Sequence, residues 1–480
     1  AEPPAAPATA PAPIPDAPRI KPRPKPGPVA LDRLQAVVLA GGTSSGNPLT
    51  KFDARASLKF GASYRLIDFP MANIINSGLK RAFVLTQFNS YTLNQHVQAA
   101  YPPEVFGFGS QGYVDVLPSF QTVDEKDWSF GSADCVRRHY KAGSLRGPSF
   151  VEEPEAYLIL SGEALYRMDY QEMLKTHNET GAGITIATVS RRIGDLDVTN
   201  LGVCGVAPTE AGTRARGEVF AFQERPSIEE LQTVAVGSPD DATDPPLTDC
   251  DVHVNMGVYI FSKAAMDNLL GVIELCSERL DFGKDILPMA ISSGVEVRAH
   301  LHEGYWQPIR NLREWYDANL SLCKTKSDEQ NAMSMIDAEF PIYTVPRCLP
   351  PARFRGEVYS EGSIVSEGVV VGDGAVVVDS IVGPCVVLGE GVQVRGSIFI
   401  GHQETGYLHG DGAPDVGKNS VLKNCVVHSD VVIGEGCVLT NEAGVLEHNG
   451  VDIQSGKGYM IQDGIIVFMP GTTVEPGTVI

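Results

Sequence analysis

No stretch of this 480-residue chain approaches the run of about 20 apolar residues that a bilayer span requires. Positive charge is scarce as well: 38 Lys and Arg stand against 59 Asp and Glu, a net charge of −21. Phosphate backbones and anionic membrane surfaces both demand clustered cations, so the composition predicts neither a nucleic-acid partner nor a membrane one. The nine cysteines are scattered, odd in number and contain no CxxC pair, which argues against a disulfide scaffold and against a cysteine zinc site. That usage fits a reducing compartment. No HExxH pattern or paired histidine spacing is present, and no Ser/His/Asp constellation is arguable from spacing. Tryptophan is rare, and Trp128, Trp306 and Trp315 read as packing residues.

Against those absences, 43% of the residues are apolar, ample for two or three domains. Residues 1–32 form a Pro/Ala-rich tail with a small basic patch from Arg19 to Lys25. It has too little apolar surface to offset its chain entropy and is expected to be disordered. Its Ala-rich start fits the remnant of an organelle transit peptide as well as an arbitrary chain boundary. From residue 33 to 340 the texture is α/β. Short apolar runs at Ala36–Leu39, Ala82–Thr86, Tyr157–Leu160 and Ile184–Val189 alternate with helical stretches. Alternation of this kind predicts a Rossmann-like, mostly parallel sheet covered on both faces, with a ligand site outside the carboxyl ends of the strands. A linker is expected over 341–355. From residue 356 to 480 an aliphatic residue followed by glycine recurs near every six residues, as in Val387-Leu-Gly-Glu-Gly391 and Val432-Ile-Gly-Glu-Gly436. A hexapeptide period with one inward aliphatic residue per repeat predicts a left-handed parallel β-helix. A β-sandwich would need alternating strands joined by hairpin turns.

Several long blocks carry a resemblance over nearly the whole chain, from Leu34 to Ile480. They include Tyr64-Arg-Leu-Ile-Asp-Phe-Pro-Met-Ala-Asn73, Val84-Leu-Thr-Gln-Phe-Asn-Ser90, Asn255-Met-Gly-Val-Tyr-Ile-Phe-Ser262 and Pro341-Ile-Tyr-Thr-Val-Pro-Arg347. Together they are similar to the ADP-glucose pyrophosphorylases (glucose-1-phosphate adenylyltransferases) of plants and algae. Met71 resembles the large, regulatory subunits more than the small, catalytic ones. The resemblance implies a nucleotidyltransferase that joins ATP and glucose 1-phosphate with Mg²⁺ to give ADP-glucose and pyrophosphate for starch. It also implies a plastid location (chloroplast stroma) and a heterotetramer with a catalytic small subunit. Regulation by phosphate or 3-phosphoglycerate would act between the catalytic domain and the β-helix.

The same resemblance assigns roles residue by residue. Gly41, Gly42, Gln87, Gly131 and Asp134 would meet the nucleotide. Glu224, Arg225 and Asn255 would meet the sugar phosphate. Arg347 and His96 would serve the effector. Yet the chemistry is eroded. The family's GGxGTRLxPLT loop reads Gly41-Gly-Thr-Ser-Ser-Gly-Asn-Pro-Leu-Thr50, one residue short and without its Arg. In RAKPAVP the Arg has become Asp53 and the Lys has become Arg55, and both prolines are gone. The metal Asp of SGDHLYRMDY is Glu163, whose extra methylene displaces the oxygens that near-ideal octahedral Mg²⁺ coordination needs in place. The second metal Asp, in GYWEDIG, is Pro308, with Arg310 two residues on, where a cation is expected to oppose the metal. The family's effector Lys aligns with Pro470. The catalytic residues Arg55 and Glu163 are thus vestigial on this reading, and productive Mg²⁺ binding is not expected. A regulatory subunit is the preferred reading. Its rivals are a binding or scaffold protein outside starch synthesis and a self-sufficient enzyme.

Overall fold

The structure, a computed structural model, describes residues 27–42, 47–102, 104, 112–121, 129, 131–147, 152–193, 200–207, 217–227, 230–231, 251–272, 280–324, 333, 335–402, 414–452 and 455–480. Most of the predicted tail, the loop centre 43–46 and Trp128 lie outside the described residues.

The first strand, β1 (Leu34–Leu39), is buried along nearly its whole length. It pairs in parallel with β2 (Arg81–Thr86) on one side and β4 (Ala156–Ser161) on the other, and β2 carries β3 (Tyr113–Pro118) in parallel at the edge. Runs of this kind are apolar on both faces because helices cover both, and the period-two alternation is therefore absent. Three of the four predicted strands stand in this parallel half. The fourth, β6 (Ile184–Arg192), does not. It pairs antiparallel with the 12-residue β9 (Asp251–Ser262), which itself lies antiparallel to β4. Strand β9 is buried over most of its length, so it serves as a central strand inserted between two that are close in sequence. Beyond it come β7 (Gly202–Val206) and β8 (Val219–Glu224), antiparallel to each other, and β10 (Val297–Leu301), parallel to β6. The sheet is therefore mixed. A two-stranded ribbon, β5 (Ala164–Tyr166) with β11 (Trp306–Pro308), stands at its carboxyl-end side.

The C-terminal domain is a parallel β-helix. Ile364, Ile381 and Ile398 stack in register, one coil apart, and Val370, Val387 and their neighbours do the same on a second face. One coil is 17 residues, since Val370 pairs with Val387. That is three hexapeptides less one corner residue. The small aliphatic side chains Val371, Val377, Val382, Leu388 and Val394 fill its axis. Corners turn through positive φ. At Gly391, φ is 65°, and a Cβ would stand 2.4 Å from Asn419 Oδ1, so no other residue fits without displacement.

The two domains share one apolar cluster. Leu58, Phe60, Trp315 and Tyr316 from the first pack with Ile381, Ile398 and Val467 from the second. Trp315 donates its indole N–H to Lys59 O at 2.8 Å, and the Tyr316 hydroxyl donates to Gly396 O in the β-helix. Trp315 and Trp306 are buried, as packing residues should be.

Candidate functional site

The strand ends and the turns after them converge on a cleft. Gly41 and Gly42 follow β1 after Ala40, and a side chain at either position would displace its neighbour. A Cβ on Gly42 would fall 2.0 Å from Glu163 Oε1, and one on Gly41 would fall 2.9 Å from Gln87 Cβ. Gln87 is tied down by Ser129, donating to its carbonyl at 2.9 Å and its hydroxyl oxygen at 2.8 Å. Glu163 sits in the tight turn between β4 and β5. Its carboxylate is held over Gly42 by Arg55, whose Nη1 is 2.5 Å from Oε2. The other oxygen, Oε1, is buried and has no hydrogen-bond partner among the described residues. Burial pushes the Glu163 carboxyl above its ordinary range, and Arg55 pulls it partly back.

Position 308 completes this corner. Pro308 pairs with Ala164, and Ile309 donates its N–H to Glu163 O at 3.0 Å. Two positions 145 apart in sequence are thus neighbours. One offers a carboxylate already paired with a guanidinium, and the other offers a proline with no donor atom. Among the described residues no group of three His, Cys, Asp or Glu side chains is arranged to hold a metal ion. The residues present do not fit a Mg²⁺ site. Arg310 takes no part in this. Its guanidinium pairs with Glu314, one helical turn on, at 2.5 Å and donates to Asn200 O at 2.7 Å, because a Glu at i+4 on the helix that follows is the nearer partner. Asp53, which reverses a family charge, accepts from Thr92 Oγ1 at 2.5 Å and lies away from Arg55's partner.

Gly131 and Asp134 belong to the start of the helix Ser132–Lys141. Gly131 has φ 99°, and a Cβ there would meet Leu280 O at 2.4 Å. That carbonyl accepts the amides of Ala133 and Asp134, while Asp281 accepts the amide and hydroxyl of Ser132. The helix amides that could cradle a phosphate are therefore occupied by the 280–281 segment. Asp134 is buried and gives its carboxylate to Arg137 and Arg138 at 2.5 and 3.0 Å. Sequence reading missed Leu280 and Asp281, which carry no motif.

At the sugar-phosphate end, Glu224 closes β8 and its carboxylate abuts Gly202 and Gly283. Burial raises its pKa, with Arg225 opposing. Arg225 has φ 53°, a left-handed backbone that aims it out of the strand. Asn255 donates to the Tyr259 hydroxyl at 2.7 Å and accepts the Gly257 amide at 3.0 Å. Glu224 ends β8, Arg225 follows it directly and Asn255 lies on β9, and β7 joins these two antiparallel strands.

A second concavity lies where the domains meet, a cavity of about 480 Å³. Lys59, Arg65, Arg347, His96 and His402 line it, and among the described lining residues there is no Asp or Glu. On a chain of net charge −21 that is a selected distribution, not a sampling of the surface. Arg347 donates to Ser63 O at 2.8 Å, tying the linker to the hairpin turn. His96 bonds Asp68 at 2.6 Å, and Asp68 also accepts the Tyr101 hydroxyl at 2.6 Å and the Arg65 amide at 2.8 Å. His96 is thus oriented by a fully buried carboxylate. Pro470 is not in the lining. The cations come from Arg347, which sequence reading named, and from Lys59, Arg65 and His402, which it did not. Only folding brings those three to one wall.

Comparison with known proteins agrees with this architecture. The nucleotidyl transferase family matches residues 35–325, and the GLGC left-handed parallel beta-helix domain matches residues 347–479. The chain is therefore a nucleotidyltransferase-fold protein with a left-handed β-helix appended. It is 32% identical over 469 residues to the glucose-1-phosphate adenylyltransferase small subunit, chloroplastic/amyloplastic, of Triticum aestivum, covering 94% of this chain and 92% of the wheat protein. It belongs to the glucose-1-phosphate adenylyltransferase (ADP-glucose pyrophosphorylase) family.

Proposed function

We propose that this chain is a non-catalytic or weakly catalytic regulatory subunit of glucose-1-phosphate adenylyltransferase. In that enzyme ATP and glucose 1-phosphate give ADP-glucose and pyrophosphate for starch synthesis in the plastid. The observation that carries the reading is the Arg55–Glu163 ion pair beside Pro308. A transferring phosphoryl group needs charge stabilisation from mobile or metal-borne cations. Here the Arg55 cation at that corner is spent on a protein carboxylate, and the second carboxylate position is a proline.

The rest of the molecule is consistent with work done through a partner. The domain cores are formed, and the cation-lined interdomain cavity suits phosphate or 3-phosphoglycerate. A catalytic small subunit resembling the wheat protein is the favoured partner, in a heterotetramer. Glu224, Arg225 and Asn255 retain polar groups with which to hold a sugar phosphate, without Mg²⁺.

The deciding experiment measures pyrophosphate release by the purified chain alone and mixed with a catalytic small subunit, each with and without Mg²⁺. The expected result is no turnover alone, and altered effector response in the mixture. Turnover by the isolated chain in the ordinary enzymatic range of about 1–1000 per second overturns the reading.

A further inference from the structure

His402 occupies a corner of the β-helix at the mouth of the interdomain cavity, held by its own amide, which donates to Pro384 O at 3.0 Å. Its imidazole bridges two carboxylates. Nε2 is 3.0 Å from Asp415 Oδ1, and Nδ1 is 3.3 Å from Asp430 Oδ1. The two partners differ. Asp415 is buried, and its second oxygen accepts the Val387 amide at 2.7 Å, so it is fixed by the coil above. The Asp430 side chain is 66% exposed. A buried carboxylate with a fixed backbone donor on one oxygen and an imidazole on the other holds its charge in place. It favours the protonated ring, and the carboxylates raise the His402 pKa above its ordinary value, Asp415 first.

The groups that line the cavity with His402 from the other elements are mainly cationic, and buried His428, whose pKa desolvation lowers, stands near both Lys59 and Asp430. Lys59 reaches from the catalytic-domain hairpin to donate to Ile400 O at 3.3 Å, two residues from His402. Arg65 on the same hairpin, Arg347 on the linker and His96 on the helix Tyr91–Ala100 line the cavity, with Cys385 from the preceding coil. Glu367 stands 4.0 Å from Arg347, behind it. Protonation of His402, the member of this cluster that lines the cavity, therefore changes the net charge of His402, Asp415 and Asp430 together from two negative charges to one. Over a low-dielectric cavity of this size, one charge is a large fraction of the potential an anion meets.

We infer that His402, Asp415 and Asp430 form a recognition element that tunes the interdomain cavity to bind small dianions more tightly on the acid side of neutrality. His402 acts through its charge, both ring nitrogens being engaged. The inference rests on the reading of the cavity as an anion site, and it names a residue set that the permanent cations do not require.

Sulfate is the suitable probe, because it remains a dianion from pH 5.5 to 8.0 and its own protonation does not confound the result. Isothermal titration of the full chain at constant ionic strength is expected to give sulfate binding about 5-fold to 20-fold tighter at pH 5.5 than at pH 8.0. In His402→Gln, which can still donate to Asp415, the two affinities should converge. In Asp430→Asn, sulfate should bind more tightly than to the wild type at pH 5.5, with the pH dependence retained through Asp415. Equal affinity at both pH values in the wild type, or an unchanged pH dependence in His402→Gln, overturns the inference and leaves the anion cavity standing. Absence of sulfate binding at either pH overturns the cavity reading beneath it and the inference with it.

Discussion

Arg55 Nη1 and Glu163 Oε2 lie 2.5 Å apart, with the two side chains 14% and 15% exposed, and they close the corner of the cleft from opposite sides. One comes from the short turn Arg55–Ser57 and the other from the turn after β4, 108 positions away. A charge pair this buried gains little net stability by existing, but removing one partner leaves an uncompensated ion.

Arg55→Ala is therefore expected to destabilise the chain at neutral pH by about 3 kcal/mol. The sign of the pH dependence follows from Glu163. Burial already raises its folded pKa above the unfolded value, and removal of Arg55 raises it further. The folded state then binds a proton more tightly than the unfolded one, so the variant regains stability as pH falls and loses it as pH rises through the folded pKa. Urea unfolding of wild type and variant at pH 5 and 7.5 tests this. A deficit that does not shrink toward pH 5 refutes it.

Glu163→Asp, the reversion to the family residue, is expected to give no measurable ADP-glucose synthesis. Pro308 still supplies no ligand, and groups that act as a unit are strongly non-additive. A pyrophosphate-release assay on the single variant and on the Glu163→Asp/Pro308→Asp double variant is the check. Substantial turnover from the single reversion would show that the second position was never needed.

Trp315 fills the seam between the domains and donates to Lys59 O. Trp315→Ala is expected to cost about 3–5 kcal/mol. Because the cavity's hairpin hangs on that seam, sulfate affinity should fall as well. Thermal unfolding followed by calorimetry should show the single transition broaden or divide as the β-helix loses its dock. An unaltered single transition contradicts a shared core.

The first coil of the β-helix is open. Arg353–Phe354 and Tyr359–Glu361 each have a strand neighbour on one side only among the described residues, and Phe354 and Tyr359 are 51% and 57% exposed. An unpaired coil end of this kind must be capped or packed. Light scattering of the chain, alone and mixed with a catalytic small subunit, is expected to show association, favouring the mixture. Tyr359→Glu should weaken it without changing the unfolding midpoint by more than about 0.5 kcal/mol equivalent. A monomer in both samples removes the subunit reading and favours the scaffold one.

The hexapeptide period, its glycines and the short apolar runs were legible because each is a local pattern that a single coil or strand must satisfy. The β-helix could be read from its repeats for that reason, although its first coil already includes Arg353–Phe354 inside the expected linker, and so could three parallel strands. Pro308 is expected to be a missing ligand only because the resemblance sets a metal carboxylate at that position. Tertiary structure decided the rest. The antiparallel place of β9, between β4 and β6, depends on pairing with residues far off in the chain, such as Val258 with Leu160 and Asn255 with Thr188, which no window of sequence reports. The partner of Arg310 proved to be Glu314, because i+4 geometry on a helix outcompetes a distant site. Gly131 reads as a nucleotide turn but is demanded by Leu280 O, which only the folded chain brings there. Lys59 and His402 are 343 positions apart and meet at one cavity solely because Trp315 and Tyr316 dock the two domains. Local sequence sets which segments are strands, turns and coils. Long-range packing sets which charges share a site, because apolar burial selects the docking and the charges follow it.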